Sequence, residues 1–354
     1  MGADHAVAPE AAQCWIGAHT ALGDFMRGAE FDVVAVGNAI VDILLQTPDS
    51  FLATHGVAKN AMTLIDEARA DELTGHFKGA TIAAGGSAAN TVTGVASFGG
   101  RAGYIGKVAD DALGGDFTRA FQASGVIFST RTRPAPPGTA RSLIAVTPDG
   151  ARSMSTYLGA STLLEPDDID RALIEAGAIT FLEGYLFDRD EAKAAFVQAA
   201  EYSKAAERKV ALTLSDTFCV ERHRASFRHL VAGHVDVLFA NEAEILSLYE
   251  TDDLFTALAA AQRDCPLVAV TRSEHGSLIA ANGETIAVAA EPVRAVIDTT
   301  GAGDLYAAGF LYGLAKGKAL ALCGKLGSIA AGEVISHLGP RPQKSLKLLA
   351  EGVL

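Results

Sequence analysis

The sequence predicts an α/β protein, with a mostly parallel sheet covered by helices on both faces and a smaller set of β-rich segments beside it. Three observations carry this reading. Strand-like apolar runs at 178–182, 210–214, 235–239 and 267–270 alternate with helical segments at 190–206, 243–248 and 254–263, and βαβ succession means parallel strands. The small residues Gly301-Ala302-Gly303 make a sharp turn that opens an alanine-rich apolar helix. Two β-rich stretches, 44–65 and 139–154, flank the first α/β segment.

The totals agree with a globular fold. The chain has 354 residues, 49% hydrophobic and 20% charged, enough apolar content for a large core. A formal net charge of −13 argues against a nucleic-acid or anionic-membrane partner. Phosphate groups would have to be met by local N–H groups, a metal ion and a few Arg or Lys side chains. Cys14, Cys219, Cys265 and Cys323 are widely spaced with no Cys-x-x-Cys pattern, which predicts structural thiols in a reducing cytoplasm and no zinc site. His223, His229 and His234 read as surface residues around a helix. No apolar run reaches the ~18 residues of a membrane span. The acidic N-terminus has no basic stretch ahead of an apolar one, so no signal peptide is predicted. Monomer and homodimer are both left open.

In chain order, residues 1–29 are Ala-rich and weakly patterned and read as a flexible extension, with Met26 a candidate start; the folded unit is predicted over 30–354. Residues 31–37 form a buried-strand pattern ending in Gly37. Asn38 and Asp42 follow where such a strand delivers ligands, although an ordinary turn explains Asp42 equally well. The pieces from 44 to 65, broken by Pro48, Gly56 and Asn60, read as strands and a turn. Gly85-Gly86 makes a tight turn, Ser87 is a plausible N-cap, and Asn90 lies one turn into the helix through 97. Residues 102–108 read as strand and 110–124 as helix. The stretch 139–154 reads as a hairpin around Thr147-Pro148-Asp149-Gly150. Arg152 follows that turn, and a surface arginine is the alternative to a functional one.

Asn241-Glu242-Ala243-Glu244 opens a helix after the 235–239 strand, as an Asn cap with first-turn acids also would. Residues 271–276 leave a strand and enter a glycine turn, with Arg272 a cation in an acidic protein. A Gly-x-x-x-x-Gly-Lys-Ser/Thr loop is absent. A β-prone run, 292–297, precedes Asp298-Thr299-Thr300-Gly301-Ala302-Gly303-Asp304, and 319–335 and 345–352 close the chain as helices. Free N–H groups at the start of the 301–303 turn attract anions. Asp304 in the first helical turn is a carboxylate beside an anion pocket. That combination suits proton removal from a hydroxyl while charge builds on a transferring phosphoryl group; a helix-start charge is the plainer reading.

The string from Asp298 to Asp304 resembles the carboxyl-terminal signature of the ribokinase-like, or phosphofructokinase-B, family of sugar and nucleoside kinases. Gly85-Gly86 with Asn90 resembles its amino-terminal signature, and the likeness runs from about residue 31 to the end. It implies a ribokinase-like three-layer sandwich with a small β-sheet lid, here about 44–65 and 131–159. It implies Asp304 as catalytic base and Gly301, Ala302 and Gly303 as the anion hole. Asp42, Asn38, Gly85, Gly86 and Asn90 would bind the acceptor's hydroxyls, and Arg152 would reach the phosphates from the lid. ATP would lie near Asn241, Thr271, Arg272 and Gly276, with Mg2+ held through water by Glu244, and a monovalent cation such as K+ is a further implied cofactor. Gly37-Asn38-x-x-x-Asp42-Ile43 and the 147–160 segment resemble bacterial adenosine kinases, with a sugar kinase the alternative and an inactive sugar-binding regulator a third. Tyr157, Tyr185 and Phe187 are candidates to stack on a purine, and Glu183 to contact a sugar hydroxyl.

Overall fold

The computed structural model describes residues 25–128 and 130–354. Cys14, Trp15 and most of the predicted extension lie outside the described residues. Packed chain is present from Phe25, which is buried in the core, while Arg208 donates to the carbonyls of Phe25 and Arg27. The folded unit therefore includes the last residues of the segment predicted to be flexible.

A nine-stranded sheet forms the middle layer. Its order is Glu284–Val288, Ser277–Ala281, Leu267–Thr271, Val237–Asn241, Lys209–Thr213, Gly177–Glu183, Phe31–Val36, Ala102–Ile105 and Ile127–Phe128. The first two strands pair antiparallel and the others parallel. Alternation along Phe31–Val36 shows the two faces. Val33 and Ala35 join the core under the helices Ser87–Ser97, Ala302–Ala315 and Leu320–Val334. Val34 and Val36 join the core under Asp190–Ala205, Thr217–His234, Glu242–Tyr249 and Leu254–Asp264. Burial on both faces explains why these strands are continuously apolar. The order places strands 31–36 and 177–183 side by side at the centre, so Asn38 and Glu183 emerge next to each other.

The second sheet has five strands, ordered Met62–Leu64, Arg152–Tyr157, Ala140–Val146, Ile40–Gln46 and Thr81–Gly85. It thus takes in 40–43 and 81–85 as well as parts of the two predicted lid segments. Register puts Asp42 opposite Ala83 and Ser142, and Ser142 opposite Thr156. Because side chains alternate, Asp42, Ser142, Thr156, Met154 and Arg152 share one face. Val41, Ile43, Leu143 and Ala145 occupy the other and enter the core.

Several local expectations fail. Residues 49–55 form the helix Asp49–His55, closed by Gly56 in a left-handed conformation whose N–H returns to Ala53 and Leu52. Pro48 and Gly56, read as breaks within strands, are its two ends. The 292–297 run is not a strand: no neighbouring strand pairs with it, and Val296 and Ile297 are exposed. Residues 277–288 form an edge hairpin that the sequence reading did not assign. No helix among the described residues is long and apolar enough to cross a membrane.

Gly86 has φ 101, and a Cβ there would lie 2.2 Å from the carbonyl oxygen of Asn38. Gly86→Ala should therefore destabilise the fold by at least ~2 kcal/mol, seen as a lowered midpoint in chemical denaturation; an unchanged midpoint would refute this steric reading.

Candidate active site

Two helix starts meet over the carboxyl ends of the central strands. Gly301, at φ 79, caps Ala302–Ala315, and a Cβ on it would lie 2.8 Å from the carbonyl oxygen of Pro340. Ala302 N–H turns back to the Thr299 carbonyl at 3.2 Å, so it is less available to an anion than the three-residue hole predicted from sequence. Gly303 is exposed, with open space where a side chain would be. A ligand can thus approach the backbone of this first turn.

Asp304 receives hydrogen bonds from Ser87 Oγ at 2.6 Å and Asn90 Nδ2 at 3.0 Å, one on each carboxylate oxygen. Thr91 Oγ1 donates to the Asp304 carbonyl at 3.1 Å. The predicted role of Ser87 is corrected here: Gly86 is the N-cap, and the hydroxyl of Ser87, one residue into the helix, goes to Asp304. Enclosure pushes the Asp304 carboxyl up to about 6, against the pull of its Ser87 and Asn90 donors.

Asp42 is buried on the small sheet beside Gly85, where a Cβ would come within 2.3 Å of its carboxylate. Burial raises Asp42 to about 6; Arg152 and Arg341 oppose the rise and Asp304 adds to it. Arg152 is buried and donates through Nη1 to Asp298 Oδ2. Asp298 also accepts from Thr300 N–H at 3.0 Å and Gly339 N–H at 2.9 Å. Its burial would raise its pKa, but these N–H donors and Arg152 together hold the carboxyl below its ordinary range. Arg152, on the small sheet, is thus bonded to the carboxylate that precedes the 301–303 turn. Its Nε and Nη2 are buried without a protein partner, as are Asn38 Oδ1, Asn90 Oδ1, the Tyr104 hydroxyl, and Nε and Nη2 of Arg341. Each such atom costs about 1–3 kcal/mol if left unpaired.

Glu183, a candidate to contact a sugar hydroxyl, is held by the protein's own N–H groups. One of its oxygens accepts from Asn38 N–H at 3.3 Å and Asn38 Nδ2 at 2.9 Å, and the other from Ala88 N–H at 2.8 Å. It ties the end of strand 31–36 to the start of helix 87–97, and burial raises it to about 7. Two of the candidate aromatics are excluded. Phe187 stacks on Phe227 at 4.4 Å in the core of the opposite sheet face. Tyr157 lies on the far face of the small sheet from Asp42, beneath the Arg141 guanidinium. Tyr185 stays at the rim, donating to the Ser215 carbonyl at 3.1 Å. Burial raises its phenol, and Asp216, Asp304, Glu183 and Glu244 add to the effect.

At the neighbouring strand ends, Asn241 lies opposite Thr271. Asn241 and Glu244 form a reciprocal capping box, with Glu244 accepting from Asn241 N–H at 2.9 Å and Nδ2 at 2.7 Å. Burial pushes Glu244 up to about 7, opposed by Asn241 N–H and assisted by Asp216 and Asp304. Arg272 pairs with Glu242 at 3.1 Å and so is a partly neutralised cation. Gly276, at φ 78, turns the chain where a Cβ would strike the Val288 carbonyl at 2.0 Å. Among the described residues no group of three or more His, Cys, Asp or Glu side chains is placed to hold a metal.

A carboxylate in the first turn of one helix, bonded by side chains from the start of a second, suits a phosphotransferase acting on a hydroxyl group. The sequence pattern of the pfkB family carbohydrate kinases matches residues 50–346, and the chain belongs to that family. It is 50% identical to the adenosine kinase from Sinorhizobium meliloti, with 92% of this chain and 100% of that chain covered and a TM-score of 0.86. A probable sugar kinase from Rhizobium etli is 48% identical, with 92% and 98% covered and a TM-score of 0.85. A 5-dehydro-2-deoxygluconokinase from Geobacillus thermodenitrificans is 29% identical over 264 residues, 71% of this chain and 78% of its own length. The fold is ribokinase-like, and ATP is the cosubstrate of this kinase family.

Ser87, Tyr104 and Arg341 escaped the sequence reading as functional residues. Only Gly339-Pro340-Arg341-Pro342 carried a signal, since each residue ahead of a proline is held extended. Ser87→Ala removes a donor that favours the charged form of Asp304. The acid limb of the pH–rate profile should move to higher pH, with Tm within a few degrees; an unmoved limb would separate Ser87 from the base.

Proposed function

We propose that this kinase transfers the γ-phosphoryl group of ATP to the 5′-hydroxyl of adenosine, giving AMP. The observation that carries the reading is Asp304, held by Ser87 and Asn90 at the start of helix Ala302–Ala315. Asp304 takes the proton from the acceptor hydroxyl, and the N–H groups at the turn stabilise charge on the phosphoryl group in flight. Asp42 and the unpartnered oxygens of Asn38 and Asn90 hold the acceptor's other hydroxyls, with Gly85 and Gly86 allowing their close approach. Arg152 keeps one nitrogen on Asp298 and offers the others to the reacting groups. Thr271, Arg272, Gly276 and Asn241 line the nucleotide end, and Glu244 would hold Mg2+ through water. The metal would neutralise the phosphate oxygens, and a monovalent cation such as K+ is part of the proposal.

Adenosine is preferred because the 50%-identical structure is an adenosine kinase. The second reading, a kinase for a sugar or sugar acid, is supported by the 5-dehydro-2-deoxygluconokinase likeness. A screen of ATP consumption over adenosine, guanosine, inosine, ribose, fructose and 5-dehydro-2-deoxygluconate, with and without K+, separates the two. Preference for a sugar or sugar acid would overturn the adenosine assignment.

Asp304→Asn keeps the shape and removes the base, so kcat should fall roughly 10²–10⁴-fold with acceptor affinity largely kept; near-wild-type turnover would sink the mechanism. Glu244→Gln should raise the Mg2+ concentration needed for half-maximal rate. An unchanged Mg2+ dependence would leave Glu244 as a helix cap alone.

A further inference from the structure

Arg341 lies in none of the motifs that define the site, yet it is among the charged groups that act on Asp42. Its guanidinium sits over the Phe121 ring, 5.3 Å from the centroid, with Nε and Nη2 buried and unpaired. Desolvation lowers its pKa to about 10, against the opposing pull of Asp42 and Tyr104. The Tyr104 phenol, fully buried on strand Ala102–Ile105, also has no partner. A guanidinium has five N–H donors and no acceptor, and burying it without a partner is costly.

The loop bearing Arg341 is anchored on both sides. Gly339 N–H donates to Asp298, and the N–H groups of Gln343 and Lys344 donate to buried Glu333 at 3.0 and 2.9 Å. Pro340 packs on Gly301, and Pro342 restricts Arg341 to extended backbone. The side chain is therefore delivered from a fixed point, next to the anion turn. The Tyr104 ring lies 5.0 Å from the same Phe121 ring that Arg341 covers, and Asp42 feels the charges of both Arg341 and Asp304.

From this we propose that Arg341, with the Tyr104 hydroxyl beside it, is an acceptor-binding residue of the kinase. It donates to a lone pair on an oxygen or nitrogen of the acceptor, on the Asp42 side of the site. The inference rests on the phosphotransfer reading above, not on which acceptor is used. Its chemistry selects acceptors with an electron-rich atom at that point, such as a ring oxygen, a purine nitrogen or a carboxylate.

The test uses the full-length enzyme and whichever of adenosine, ribose or 5-dehydro-2-deoxygluconate the wild type turns over fastest. Arg341→Gln should raise the acceptor KM about 10–100-fold, the effect of losing a charged hydrogen bond, while the ATP KM changes less than about threefold. Arg341→Lys, which keeps the charge and loses the fork, should recover part of the loss. Tyr104→Phe removes only an unpaired hydroxyl, so its Tm should hold or rise while the acceptor KM rises. Acceptor KM values equal to wild type in both Gln and Phe variants would overturn the inference and leave the kinase assignment standing. Equal rises in acceptor and ATP KM would overturn it too, as a structural role. Turnover of none of the three acceptors by wild type would overturn the function and this inference together.

Discussion

The site depends on how closely two helices pack. Ser87–Ser97 and Ala302–Ala315 lie against each other, and a Cβ on Gly94 would come within 2.6 Å of Ala308 and 2.7 Å of Leu305. Contact at that distance brings the two helix starts together, and the bonds from Ser87, Asn90 and Thr91 to Asp304 follow from it. A larger side chain at 94 would wedge the helices apart at their middle, far from any ligand, and the donors would leave their acceptor. Catalytic geometry here is thus set partly by an apolar contact inside the core.

That geometry carries an electrostatic load. Burial raises Asp42, Asp304, Glu183 and Glu244. A carboxyl raised on folding binds its proton more tightly in the native state, so its effect on stability worsens as pH rises from the ordinary carboxylate range through about 6 to 7. Arg152 and Arg341 offset part of this at Asp42 without a direct ion pair to it. The unpaired donors and acceptors around Asp42 add to the load. A bound acceptor supplying hydrogen bonds to these groups would stabilise the folded protein.

What the sequence disclosed was local. Gly85-Gly86 with Asn90, and Gly301 to Asp304, were readable because tight turns at helix starts need small residues at fixed spacing, and the central parallel strands were readable from continuous apolar runs. The small sheet was less so, because its strands come from four separated stretches, and Thr81–Gly85 reads as the approach to a turn. Helix Asp49–His55 was missed because its bounding Pro48 and Gly56 look like interruptions. The 292–297 run has β-type composition, yet a strand needs a partner and the fold provides none. Tyr104 and Glu183 read as strand residues, and their contacts come from elements distant in sequence. Arg341 is the extreme case: its surroundings come from Phe121, Tyr104 and Asp42, none near it in the chain.

Asp298 joins the small sheet, the 301–303 turn and the loop that carries Arg341. One carboxylate takes the lid's Arg152, the N–H of Thr300 in the anion turn and the N–H of Gly339 in the loop that carries Arg341. Arg152 is the charged donor among these three, so a displacement of the small sheet would leave this enclosed anion with the two backbone N–H groups. A single carboxylate thus ties the small sheet to the turn and the loop beside Asp304, so a change in the placement of any one of them is felt by the other two.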